Sequence, residues 1–72
     1  MSSYLIEYMK LHAISLQQDI EDVSNKMESL DHDSKDFKDL DFEFNWLNGN
    51  LSATLHLLGV AEQEGRNAAN NN

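Results

Sequence analysis

Histidine, carboxylate and hydroxyl side chains are the first groups to weigh for chemistry in this chain, because it has no cysteine. That absence removes thiol nucleophiles, thiolate zinc sites and disulfides. His12, His32 and His56 are dispersed, and none belongs to an HExxH or another metal-ligand spacing. In an antiparallel helix pair His12 and His56 fall toward the same end, but no carboxylate joins them as a third ligand. No serine sits in a GxSxG elbow, and no glycine loop is arranged to cradle phosphate. Asp31-His32-Asp33-Ser34-Lys35-Asp36 opens like a calcium loop of alternating carboxylates. An EF-hand needs an oxygen ligand at its fifth place, glycine at its sixth and glutamate at its twelfth. Those places hold Lys35, Asp36 and Phe42. The sequence therefore predicts no enzyme, no metal site and no cofactor.

Carboxylates are nonetheless concentrated. Glu28, Asp31, Asp33, Asp36, Asp39, Asp41 and Glu43 share a short stretch with only Lys35 and Lys38. Of the net charge of -8, this stretch carries seven negative charges against two positive ones. Acidic side chains around a turn and a helix start are favoured by capping and by the helix dipole. An alternative is mimicry of nucleic acid, in which the acidic rod occupies a basic groove of a DNA- or RNA-binding protein. Small acidic phage and plasmid inhibitors are similar in size and charge. Direct binding of nucleic acid is not expected, since five Lys and Arg face thirteen Asp and Glu.

The elements that position these groups are set by the missing prolines and by apolar periodicity. Ile6, Met9, Ala13, Leu16, Ile20, Val23, Met27 and Leu30 hold a heptad register without a miss. This predicts a helix over 3–30, with Ser2 or Ser3 as N-cap and Glu7 near its positive end. Residues 31–34 are turn formers, and Asp33 or Ser34 can cap a second helix. Phe37, Leu40, Phe44, Leu47, Leu51, Thr54, Leu58 and Ala61 carry a second register, predicting a helix over 35–64. Asn48-Gly49-Asn50 has the composition of a turn, yet the register passes through it unshifted, so the helix is expected to continue. Gly65 reads as a helix stop, and 65–72 as a polar Asn-rich tail. The two expected helices are nearly equal in length. The short connection makes them antiparallel neighbours, with layers running from Leu30 against Phe37 to Ile6 against Ala61. The fold class is all-α, one helical hairpin over 1–64.

Apolar residues exceed what one seam requires. Tyr4, Tyr8 and Leu11 recur on the far side of the first helix, with Leu5 and Ile14 beside them. Phe42, Trp46, Ala53 and Val60, with Gly49 among them, form an outer stripe on the second; Leu55 and Leu57 flank its seam. Monomers seldom tolerate so much exposed apolar surface, and a domain of 72 residues has a small core. Tyr4, Tyr8, Leu11, Phe42, Trp46, Leu57 and Val60 are therefore candidate partner-binding residues. They point to a homodimeric four-helix bundle, to a heterologous protein client, or to one stripe for each. No apolar run approaches the ~20 residues of a membrane span. Met1-Ser2-Ser3-Tyr4 lacks the features of a secretory signal. A cytoplasmic protein acting by protein–protein interaction is expected.

Over residues 3–64, helix length and register give a layout that resembles two groups of small regulators. One is a type of plasmid copy-number regulator in which a hairpin dimerises into a four-helix bundle and binds RNA through a basic and aromatic face. The other is the hairpin co-chaperones of type III secretion needle subunits. The acidic faces here do not match the RNA-binding group. No signature residue carries either likeness, and neither likeness makes the chain a family member.

Overall fold

The computed structural model describes the backbone of residues 3–70 and the side chains of residues 3–65. Two helices, α1 (Ser3–Glu28) and α2 (Lys35–Asn70), pack against each other as an α-helical hairpin. No strand occurs among the described residues. The result is a rod of 58 × 15 × 13 Å.

The two registers form the seam. Ala13, Leu16, Val23, Leu47, Leu58 and Ala61 are buried, and the other ten register residues are all half-buried. No register position is exposed, so the heptad phase holds from end to end. Leu16, Val23 and Leu47 make the central cluster, with Ile20, Met27, Leu40, Phe44 and Leu51 packed on it. Thr54 is the polar seam member, and its hydroxyl donates to the Asn50 carbonyl at 2.8 Å. Its polar group is thus satisfied within its own helix.

The element boundaries differ from those expected in ways that local hydrogen bonds explain. α1 ends at Glu28 rather than at residue 30. The Ser29 amide and hydroxyl both donate to the Lys26 carbonyl, at 3.4 and 3.0 Å, and the Leu30 amide donates to Met27 at 3.1 Å. These i to i−3 bonds tighten the last turn out of α-geometry, yet Leu30 stays half-buried at the end of the seam. The connection is therefore six residues, 29–34. Asp31 builds it: its carboxylate accepts from the Asp33 amide at 3.0 Å, and its carbonyl accepts from the Ser34 hydroxyl at 2.7 Å. Ser34 is the cap of α2, accepting from the Phe37 amide at 3.1 Å. Asp33 does not fill that role.

At the other end, Ser3 already lies inside α1, and Ser2 falls outside the described residues. The first turn of α1 holds no acidic residue. Glu7 lies one turn further on and pairs with Lys10 at 3.7 Å. α2 continues through Gly65 to Asn70, past the expected stop, leaving 71–72 outside the described residues. A glycine terminates a helix by adopting a left-handed backbone, and no described glycine does so. Nothing between Gly65 and Asn70 is proline. The helices are consequently unequal, 26 residues against 36, and α2 overhangs the start of α1.

Candidate functional site

The candidate contact residues other than Leu57, which flanks the seam, are held on the sides of the helices that point away from it. On α2, the spacing from Phe42 through Trp46 and Gly49 to Ala53 repeats the four-three alternation of the seam itself. It continues through His56 to Val60, so His56 belongs to the stripe, a member that its polarity concealed in the sequence. At 3.6 residues per turn this stripe lies about 160° round α2 from the seam. Tyr4, Tyr8 and Leu11 occupy the equivalent outer line of α1. All are exposed: Tyr4 by 75%, Phe42 by 74%, Leu11 by 66% and Trp46 by 60%. Leu57 and Val60 are half to nearly half exposed, with Leu55 and Ile14 similar.

The hairpin separates these residues into two lines. Each stripe faces away from its own seam, so antiparallel packing puts them on opposite edges of the rod. Along the rod, the layers set Tyr4 and Tyr8 roughly 20–30 Å from Phe42 and Trp46 of the same chain. Tyr8 stacks on His12 one turn on, with ring centroids 6.3 Å apart and planes 9° from parallel.

Polar side chains along the middle of α2 are satisfied by the helix itself. The Asn48 amide donates to the Phe44 carbonyl and the Asn50 amide to the Trp46 carbonyl, both at 2.9 Å. With Thr54 on Asn50, three side chains in succession bond back to the carbonyl four residues earlier. The turn-forming composition of Asn48-Gly49-Asn50 is thereby turned inward, and the helix runs on.

At the other end of the rod, Glu28, Asp31, Asp33, Asp36, Asp39, Asp41 and Glu43 are all exposed. Asp39 is held by Lys35 at 2.8 Å. That hydrogen bond, the Asp39 charge and the charge of Asp36 raise the Lys35 pKa above its ordinary 10.5. His32 packs on Phe37 with centroids 4.7 Å apart, covering the end of the seam. Beside the tip lies a shallow open groove of about 400 Å³, lined by Lys26, Ser29, Leu30, Asp36, Asp39 and Leu40. Among the described residues no three His, Asp or Glu gather closely enough to hold a metal ion. Nor is any described helix long and apolar enough to cross a membrane.

No protein-family model, curated protein or solved structure matches this chain. Its function must be read from the surface itself.

Proposed function

We propose that this chain is a small acidic protein–protein interaction module, an adaptor, co-chaperone or regulator without catalytic activity, that works through the exposed aromatic lines of its two helices. The observation that carries this reading is the exposure of Trp46, Phe42, Tyr4 and Tyr8 on helices whose seam is already complete. Hydrophobic stabilisation scales with apolar area removed from water. Large aromatic side chains left outside a finished seam bury most of their area only when another protein covers them, and Trp and Tyr are frequent anchors of such contacts. A chain without cysteine suits the reducing cytoplasm, where we place it.

Trp46 is the one tryptophan, so its fluorescence reports directly on the α2 stripe. Affinity purification from cells expressing the chain, paired with mass measurement of the free protein, tests the reading. Covering of the α2 stripe should shift Trp46 emission to the blue, and association of either kind should be lost in a Trp46→Ala, Tyr8→Ala variant. If that variant matches the wild type in both self-association and partner capture, these lines are not the working surface.

The exposed carboxylate tip favours a second reading, an inhibitor that mimics nucleic acid in a basic groove. A salt series separates the two. Mimicry requires partner affinity to fall steeply with ionic strength, whereas apolar docking through Trp46 tolerates it.

A further inference from the structure

We propose that the outer stripe of α2 is the seam of a homodimer: two copies lie antiparallel, α2 against α2, with the two-fold axis level with Leu51. This rests on the interaction reading above and names the occupant of one of its two lines. Tyr4, Tyr8 and Leu11 on the far edge stay open to a different protein.

Self-complementarity is the first support. Phe42, Trp46, Gly49, Ala53, His56 and Val60 form a second heptad line, and an antiparallel pair brings such lines together in layers. Reversal about Leu51 sets Phe42 against Val60 of the second copy, Trp46 against His56, and Gly49 against Ala53. Bulky layers flank a small central one, so the helices can come close at the axis while the aromatic rings fill the space on either side.

Gly49 is compatible with this packing: like Gly59 and Gly65 it has open space where a Cβ would go, and of the three it is the one on the stripe. Its backbone has no positive φ. Nothing inside the monomer requires glycine, although glycine is disfavoured in a helix interior. A second helix crossing close to this point does require a small residue.

Area points the same way. The chain exposes 5502 Å², whereas a compact monomer of 8.2 kDa exposes about 4,500 Å². The excess, about 1,000 Å², belongs to the rod as a whole and is enough to supply the ~800 Å² that each partner buries in a standard interface. Charge then selects the direction. An antiparallel pair puts the two acidic turns at opposite ends, about 54 Å apart by helix rise, far beyond the Debye length of about 8 Å. A parallel pair would superpose them.

The absence of cysteine makes disulfide mapping unambiguous. Phe42→Cys and Val60→Cys chains are oxidised separately and mixed, alongside light scattering of the wild type at high micromolar concentration. The wild type should have the mass of two chains. The mixture should cross-link while neither variant links to itself, since like positions lie about 27 Å apart across the axis. Because these variants touch the outer layers, a Gly49→Cys and Ala53→Cys mixture should also cross-link at the centre, where like positions lie only about 6 Å apart along the axis and self-linkage is not diagnostic. Gly49→Leu should weaken the dimer at least ten-fold, and Gly59→Leu, off the stripe, should not. Self-linkage of the Phe42→Cys chain shows a parallel pair and overturns the proposal. A dimer in which neither mixture cross-links uses another surface and overturns it too. A monomeric wild type that still captures a protein through Trp46 overturns self-pairing but leaves the interaction reading standing. A monomer that captures nothing overturns both.

Discussion

Ser34 shows how much a single side chain settles in this fold. Its hydroxyl donates to the Asp31 carbonyl and accepts from the Phe37 amide, so one oxygen joins the turn to a free amide in the first turn of α2. Ser34→Ala should cost about 1 kcal/mol, read as a lower urea midpoint by circular dichroism. An Asp33→Ala change should cost less, because Asp33 caps nothing. Leu47 is the buried α2 member of the central cluster, and Leu47→Ala should cost about 2–5 kcal/mol. A protein of this size has only about 4–11 kcal/mol in all, so that variant should be partly unfolded at 37 °C. Thr54→Val is expected to go the other way. The Asn50 carbonyl keeps its helical amide, the half-buried hydroxyl is replaced by a methyl, and urea unfolding should show an unchanged or slightly raised midpoint.

Helix α2 is stable as an element despite a composition that favours turns. Its Asn side chains bond back to helix carbonyls, and its glycines keep ordinary backbone angles. Gly59 has open space where a Cβ would go, so Gly59→Ala should stabilise the helix by about 1 kcal/mol, checked by thermal melting. The Lys35–Asp39 pair sits in the first turns of α2 with both side chains largely exposed. The raised Lys35 pKa means its contribution is fully present below pH 10.5 and is lost only as pH climbs above that value. Melting followed through the neutral range should show no step from this pair, and Lys35→Gln should behave like the wild type there.

On the scale of the whole molecule, a net charge of -8 is spread over a thin rod and weighted to one tip. Self-repulsion opposes compaction and is screened by salt. Raising sodium chloride from about 10 mM to about 150 mM should therefore raise the melting temperature, and neutralising Asp31, Asp36 and Asp41 to Asn should flatten that dependence. The rod's exposed edges set how it meets other proteins, with aromatic lines on its sides and carboxylates at its end.

The sixteen seam residues were legible without coordinates, because a heptad phase with one polar exception has one packing solution and a short connection leaves one direction for the return. The surplus aromatic residues were legible for the same reason: they fall outside a register that is already full. Other features were not. The end of α1 depends on Ser29 and Leu30 closing i to i−3 bonds, and the extension of α2 depends on Gly65 keeping a right-handed backbone. Composition leaves both conformations open. His56 was missed as a stripe member because polarity hid a position that only the spacing reveals. Amino-acid order by itself determined which residues are buried, since helical periodicity converts spacing into faces. Only the tertiary structure decided where the remaining faces point: packing α1 against α2 sends the two aromatic lines to opposite edges of the rod.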